Sequence, residues 1–334
     1  MLGAVLLAAL ALAGANAPNG RLRSAPAPAF AAPWQDGGPK AVATVFGAGG
    51  QDGGLKPAAT LEVRVAPRAL RLRLVEAINA DRRAAGAGAV EYSDELAKAA
   101  DAHCREMLDG DYASHWDRNG WKPYLRYSAA GIRENTSENV HAMWTTHFRE
   151  DKLWDYLLEG HQGFMAEQPP NDGHRRSVLE PRHTHVGVGV AYNGVGLRMV
   201  VVFSGRYAQL DPLPLRAKLK DSLTVRGRLL RPSDRLLGIS VFYEPLPKPM
   251  SRAELGTMKS YGLPSEERME RPRLPMGYHY TDGTKGSVGV SGRQYQVSLS
   301  FWKEKPGVYT VGVWIDPAKG DTFIGASTSV IVEE

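Results

Sequence analysis

The spacing of apolar residues changes character along this 334-residue chain, near Leu213. Before that point, apolar residues recur mainly at helical spacing, and the region ends with two β-rich runs. After it, they alternate or form short runs rich in β-branched and aromatic residues, separated by turn sequences. A chain of this length accommodates two domains. We therefore expect two cores, one within residues 62–212 and one within residues 213–334.

Three helices and a hairpin are predicted in the first of these parts. The first helix follows Pro67, which suits an opening turn, and the second begins after Ser93, a good N-cap residue. A third covers residues 150–166 and ends before two consecutive prolines, which cannot donate a backbone hydrogen bond. The runs 186–191 and 199–205 then flank an Asn-Gly step, which is typical of a hairpin turn. Helices beside a small sheet predict an α/β/α sandwich.

The second part is expected to be an all-β sandwich. Its predicted strands cover residues 222–230, 236–243, 293–302, 308–315 and 323–332. Between the second and third of these strands, residues 245–285 are rich in proline and charge, and this segment is too long for a hairpin loop. It is interpreted either as a mobile excursion or as an arm that binds a partner.

The beginning of the chain is typical of an exported protein. Residues 1–17 form an apolar run that ends in small residues, as a secretory signal peptide does. This run is short for a membrane span and has no flanking anchors, so no stable span is expected. Residues 18–60 are dominated by Ala, Pro and Gly and are interpreted as a disordered linker. The predicted location is outside the cytoplasm.

Charge and cysteine content argue against a nucleic-acid-binding protein and against a fold stabilised by intramolecular disulfides. The net charge of +5 comes from interleaved acids and bases, which does not indicate a nucleic-acid partner. Cys104 is the single cysteine, so no intramolecular disulfide can form and stability depends on core packing. Cys104 shares a helical apolar pattern with Leu96, Ala100 and Met107, and we interpret it as an inert buried thiol.

Histidine is concentrated in one part of the chain. Eight of the nine histidines lie between residues 103 and 185. Within this stretch, a Ser-His step contains His115, a Glu-Asn-Val step begins at Glu138, and Glu167 precedes a Gly-His-Arg step that contains His174. A His-Val-Gly-Val-Gly run then begins at His185.

These steps resemble the CAP superfamily, also called the SCP domain, over about residues 68–207. The resemblance implies an α/β/α sandwich and, with the β domain that follows, an α+β chain. It also implies that His115, Glu138, Glu167 and His174 occupy the positions of the family's cleft residues. This sequence departs from the family pattern at Ser137, where glycine is usual, which puts the local turn in question.

The chemistry of these four residues has three interpretations. Two imidazoles and two carboxylates suit zinc or another divalent cation, with His115 and His174 as the expected ligands. The same groups could perform acid–base catalysis without a metal. They could also form a hydrogen-bonded network that only stabilises loops. Trp116 and Trp121 belong to an aromatic loop that either packs beneath the cleft or forms its wall.

The preferred function is extracellular binding of a divalent metal, an unidentified extracellular or cell-envelope ligand, or both, with the β domain serving attachment or recognition. The alternatives are a metal-dependent extracellular hydrolase and a structural module of the cell envelope, because the fold alone does not choose among them. No Gly-x-Ser-x-Gly step supports a serine nucleophile. His103 is expected to be a hydrogen-bonded core residue, and His183 and His185 to lie at the surface or at a strand edge.

Overall fold

The computed structural model describes residues 62–258 and 260–334. The predicted signal peptide (1–17) and linker (18–60) lie outside the described residues. Across the ranges that are described, no helix combines the length and apolar character needed to cross a membrane.

The part up to Gly205 contains helices on both sides of one sheet. Its elements in chain order are β1 (Arg64–Val65), α1 (Arg68–Ala84), β2 (Glu91–Tyr92), α2 (Asp94–Asp109), α3 (Pro123–Ala129), β3 (Asn135–Trp144), a 3-10 turn (Glu150–Lys152), α4 (Leu153–Met165), α5 (Gly173–Leu179), β4 (His185–Asn193) and β5 (Gly196–Gly205). The strand order is β1-β4-β5-β3, and β2 pairs in parallel with β4. Strand β3 is therefore an edge strand.

Side chains of β5 alternate between two apolar clusters, as expected for a strand that is covered on both faces. Met199 and Phe203 belong to the cluster that contains residues of α1, α4 and α5. Val200 and Val202 belong to the cluster that contains residues of α2 and α3. The two clusters lie on opposite faces of the sheet, which confirms the predicted α/β/α sandwich.

The helix ends and the hairpin agree with the sequence signals. The side chain of Ser93 accepts a hydrogen bond from the backbone N–H of Leu96, which satisfies one unpaired donor in the first turn of α2. Pro67 immediately precedes α1, and α4 ends before the two prolines. The predicted hairpin is formed by β4 and β5.

The remaining part is β-rich. Its elements are β6 (Ala208–Leu210), β7 (Arg216–Lys218), β8 (Leu223–Leu229), β9 (Arg235–Glu244), α6 (Arg252–Thr257), β10 (Glu267–Glu270), β11 (Gly289–Ser291), β12 (Gln294–Leu299), β13 (Gly307–Asp316) and β14 (Phe323–Glu333). Two sheets, ordered β10-β9-β13-β14-β7 and β11-β12-β8-β6, enclose one apolar cluster. All five predicted strands are present, and the insertion 245–285 contains α6 and β10.

The two parts are in direct contact. Tyr124 and Leu125 of α3 share a buried apolar cluster with Val308 of β13 and Ile331 of β14. Strand β6 lies before the predicted boundary at residue 213, yet it pairs with β8 and contributes to the C-terminal core. The short connection between the two cores therefore contains a strand of the second core.

The presence of two cores leads to a prediction about independent folding. Residues 62–212 and 213–334, expressed separately, should each unfold cooperatively when followed by circular dichroism. Because β6 contributes Ala208 and Leu210 to the second core, the longer fragment 207–334 should melt at a higher temperature than 213–334. A fragment that is unfolded while the full chain is folded would contradict the division into two domains.

Candidate functional site

The first half of the site joins a loop to the edge strand. His115 lies in the loop between α2 and α3, and its Nδ1 is 2.9 Å from Oε1 of Glu138 on β3. Both side chains are buried: Glu138 is 4% exposed and His115 is 8% exposed. A buried carboxylate requires compensating donors, because an unpaired charge in the protein interior is very costly.

Helix α3 supplies those donors. Nη2 of Arg126 donates to both oxygens of Glu138, at 2.8 and 3.0 Å, and the hydroxyl of Tyr127 donates to Oε2 at 2.5 Å. Burial alone would raise the pKa of this carboxyl. The Arg126 charge and the hydrogen bond to His115 outweigh burial and hold the pKa of Glu138 well below its usual range. Each oxygen of Glu138 already accepts two hydrogen bonds, so this carboxylate supports its neighbours and does not present a free ligand atom.

The second half of the site lies where α4 is followed by α5. Oε1 of Glu167 is 2.5 Å from Nδ1 of His174, and Oε2 accepts the backbone N–H of His174 at 2.8 Å. A carboxylate is favourable at this position, because the N–H groups in the first turn of a helix have no partners within the helix. One side chain thus caps α5 and orients the imidazole of His174.

The two halves of the site lie close together. The ring centroids of His115 and His174 are 6.4 Å apart, with an angle of 34° between the ring planes. Each Nδ1 contacts a carboxylate, so each imidazole carries its proton on Nδ1 when it is neutral, and Nε2 has a free lone pair. Neither Nε2 atom forms a hydrogen bond with any described residue. Burial lowers the pKa of His115 despite the raising effect of Glu138, which favours the neutral ring.

An aromatic ring also contacts each imidazole. Phe164 of α4 lies 4.8 Å from His174 between ring centroids. Tyr261, in the insertion of the C-terminal part, lies 4.8 Å from His115, and its hydroxyl accepts the backbone N–H of Glu138 at 2.9 Å. Neither a site role for Tyr261 nor the roles of Arg126 and Tyr127 were predicted from the sequence.

The region that contains this geometry is similar to known proteins. Residues 75–207 match the model of the Cysteine-rich secretory protein family, CAP. This region is a CAP domain. The chain is also 28% identical over 127 residues to the uncharacterized protein YkwD of Bacillus subtilis (strain 168), a match that covers 38% of this chain and 44% of that protein. The chain thus spans less than half the length of this relative.

Solved structures also resemble part of this chain. An extracellular protein containing an SCP domain from Bacillus anthracis is 20% identical with a TM-score of 0.31, and the match covers 41% of this chain and 40% of that one. An outer surface protein from Borrelia burgdorferi is 14% identical with a TM-score of 0.35, over 43% of this chain and 98% of that one. A cysteine-rich secretory protein from Staphylococcus aureus is 15% identical with a TM-score of 0.28, over 46% and 42%.

The two tryptophans of the aromatic loop, which was expected either to pack beneath the cleft or to form its wall, lie beside the C-terminal part. Nε1 of Trp116 donates to the carbonyl of Ser260 at 3.2 Å, and Nζ of Lys122 lies 4.9 Å from the Trp116 ring centroid. Trp121 packs against the apolar cluster shared between the two parts. Within the described ranges, neither tryptophan forms a ring contact with His115 or His174.

Most of the remaining histidines in the CAP domain have local structural roles. His103 is buried and its Nε2 contacts the carbonyl of Ser114 at 2.8 Å, as predicted for a core histidine. Nε2 of His161 is 2.8 Å from Oδ2 of Asp81. The high density of histidine in the sequence therefore does not mark one large cluster.

The other expectations for this region have mixed outcomes. His185 begins β4, as predicted for a strand-edge residue, whereas His183 stacks on Phe203 at 5.1 Å between centroids. Ser137 lies within β3, near its beginning, so no turn forms there, and its hydroxyl is 2.6 Å from that of Ser177. Cys104 is fully buried, as predicted, and burial raises the pKa of its thiol, which favours the unreactive protonated form.

Proposed function

We propose that this chain is an extracellular CAP-domain protein whose cleft binds a divalent cation, such as zinc, through Nε2 of His115 and Nε2 of His174. One observation carries the proposal: each imidazole is held by a carboxylate at Nδ1 and leaves Nε2 free, while the two ring centroids lie 6.4 Å apart. Metal-binding histidines commonly have a carboxylate at the other ring nitrogen, which fixes the tautomer and orients the ring.

The two glutamates support the histidines in this proposal and are not ligands themselves. Glu138 accepts four hydrogen bonds, and Glu167 is occupied by His174 and the first turn of α5. Among the residues that the structure describes, no group of three or more His, Cys, Asp or Glu side chains is arranged around one metal position. Two protein ligands would leave several coordination positions to water or to an extracellular ligand. When bound, such a cation would act as a Lewis acid for whatever occupies those positions.

The competing account is a polar network that only stabilises the CAP domain. The saturated environment of Glu138 favours it, because buried polar groups that satisfy one another need no ligand. The free Nε2 atoms favour the binding function. A hydrolase would use the same two histidines, so measurements of metal binding and turnover are needed to separate the three accounts.

Zinc titration of single variants tests the proposal. We expect His115→Ala and His174→Ala each to weaken zinc binding by at least about tenfold, because each substitution removes one of two protein ligands. His279→Ala, in the C-terminal part, should bind zinc like the parent. Isothermal titration calorimetry at neutral pH measures all four proteins.

Each outcome selects one account. Equal zinc binding by the parent and both cleft variants would refute a shared site at these histidines. Absence of zinc binding by the parent, together with lower melting temperatures of the cleft variants, would favour the polar network. Zinc-dependent turnover that is lost on chelation would favour the hydrolase.

A further inference from the structure

Part of the insertion 245–285 lies across the CAP domain. We call residues 250–258 and 260–263 the strap. Its contacts with the CAP domain include two hydrogen bonds, a salt bridge and a buried side chain: Met250 N–H to the Arg118 carbonyl at 2.9 Å, the Ser114 hydroxyl to the Met258 carbonyl at 3.3 Å, Arg252 with Asp111 at 2.5 Å, and Leu255 in the apolar cluster beside α2. These contacts hold the strap against the loop that contains His115.

Tyr261, in the C-terminal portion of the strap, makes two different contacts with the first half of the site. Its ring lies 4.8 Å from the His115 ring, and its hydroxyl accepts the Glu138 backbone N–H at 2.9 Å. Strand β3 is at the edge of its sheet, so a backbone donor on its outer side needs a partner from outside the sheet. The three residues therefore contact one another in turn. His115 is hydrogen-bonded to the Glu138 carboxylate, the Glu138 backbone N–H donates to the Tyr261 hydroxyl, and the Tyr261 ring packs against His115.

The second half of the site is built in the same way. His174 is held at Nδ1 by Glu167 and is contacted at 4.8 Å by the ring of Phe164. In that half, the carboxylate and the aromatic ring both belong to the CAP domain. In the first half, the carboxylate belongs to the CAP domain and the ring comes from the strap. The CAP domain alone therefore contains a complete setting for His174 and an incomplete one for His115.

We propose that Tyr261 is a positioning residue of the cleft, which fixes the orientation of the His115 imidazole beside His174, and that the cleft is a composite site completed by the C-terminal part of the chain. The link to cation binding rests on the function proposed above, whereas the positioning of His115 does not require a metal.

The Tyr261 ring limits how the imidazole can turn. Rotation about the terminal side-chain torsion of histidine is soft, so the Nδ1 hydrogen bond alone leaves the ring free to rock around one contact. A second contact on the ring removes that freedom, as outer partners do for the histidines that bind metals. The ring of Tyr261 is the essential part for His115, while the hydroxyl serves the Glu138 backbone. A phenylalanine at this position should therefore preserve the orientation of His115.

Zinc affinity of the full chain separates the roles of ring and hydroxyl. We expect Tyr261→Ala to weaken zinc binding about threefold to tenfold, the range that corresponds to loss of an aromatic ring contact. Tyr261→Phe should stay within about twofold of the parent, because it keeps the ring. Tyr278→Ala removes a tyrosine of the same insertion that is 44% exposed, and it should change nothing. Isothermal titration calorimetry gives the affinities.

A second measurement does not depend on zinc. The ¹⁵N shifts of the imidazoles, recorded without metal at about pH 8, where a free histidine is neutral, report which ring nitrogen of each histidine carries the proton. In Tyr261→Ala, we expect His115 to change from a single Nδ1–H tautomer to a mixture, while His174 keeps the parent's spectrum. In Tyr261→Phe, both histidines should match the parent.

These two measurements distinguish failure of the proposed function from failure of the positioning role. If the parent binds no zinc but Tyr261→Ala still changes the tautomer of His115, the proposed cation binding is wrong and the positioning role of Tyr261 stands. Parent-like His115 spectra and zinc affinity in Tyr261→Ala would overturn the positioning role. It would also be overturned if Tyr261→Phe were as impaired as Tyr261→Ala, since the ring would then not be the active part.

Discussion

Replacing Gly189 with alanine is expected to destabilise the CAP domain by about 3 kcal/mol, the upper range for overpacking a core. A Cβ atom at this position would lie 2.3 Å from the Ala100 carbonyl carbon and 2.4 Å from the Asp101 nitrogen. Both are backbone atoms within α2, so no side-chain rotation relieves the clash. The whole helix would have to move away from β4.

Gly187 shows that this close approach extends along the strand. A Cβ there would lie 2.4 Å from the Ala97 nitrogen and 2.4 Å from Cβ of Leu96. The two glycines lie two residues apart on β4, so both face α2 and together form a surface against which the helix backbone packs. We expect that Gly187→Ala has an effect of similar size.

Urea unfolding of the full chain, followed by circular dichroism of the helices, measures these effects, because the longest helices described, α1, α2 and α4, all belong to the CAP domain. Gly163→Ala is the matched control. Gly163 lies in α4, and apart from its two chain neighbours and its own helix backbone no described atom lies within 4 Å of the position that a Cβ would occupy. That substitution should be neutral or stabilise by up to about 1 kcal/mol through helix propensity. A stability of Gly189→Ala within about 0.5 kcal/mol of the parent, as for an ordinary surface change, would contradict the close packing of α2 on β4.

The elements that the sequence predicted well are those whose signals are local. Ser93 predicts the start of α2, and the Asn-Gly step predicts the hairpin of β4 and β5, because both signals act within a few residues. Edge strand β3 was not predicted. Buried and exposed side chains do not alternate regularly along β3, because the strand contacts loops, α3 and the strap as well as the sheet.

The candidate site was predicted less completely than the fold. The four polar residues were proposed through a family resemblance, because the intervals between them follow no local periodicity. Neither the family resemblance nor local periodicity indicated the role of Tyr261. It is 123 residues from its hydrogen-bond partner Glu138, and it lies in the insertion, outside the region that resembles the family. Contacts of this kind are decided by how two domains dock, which periodicity and motif spacing do not encode.

Acidification from about pH 6.5 to pH 4 is expected to destabilise the CAP domain by several kcal/mol, because two neutral histidines must become charged in poorly hydrated positions. Burial lowers the pKa of His141 to about 4, and nearby cationic groups add to this effect. Burial likewise lowers the pKa of His183 to about 4. In the unfolded chain, a histidine titrates near pH 6.5, which is about its ordinary pKa.

The direction follows from proton binding. Between about pH 6.5 and pH 4 the unfolded chain binds protons at His141 and His183 that the folded chain does not, so stability falls as the pH falls. Each histidine contributes fully above about pH 6.5 and loses its contribution as the pH approaches 4. At about 1.36 kcal/mol per pKa unit, the loss is about 3 kcal/mol for each histidine. The depressed pKa of Glu138 acts in the same direction, but only below about pH 4.5, the ordinary pKa of a glutamate.

Unfolding free energies measured by urea titration between about pH 7 and pH 4.5 isolate the histidine contribution. His141→Gln and His183→Gln should each flatten the pH dependence in this window, because glutamine does not titrate. His147→Gln is the control: His147 is exposed, on the loop that follows β3, and this variant should follow the parent. His141→Gln and His183→Gln should also each be less stable than the parent at neutral pH, since glutamine does not reproduce the ring packing of histidine. The stability of each should nevertheless fall less on acidification, and an unchanged slope in both variants would show that other groups cause the loss at acidic pH.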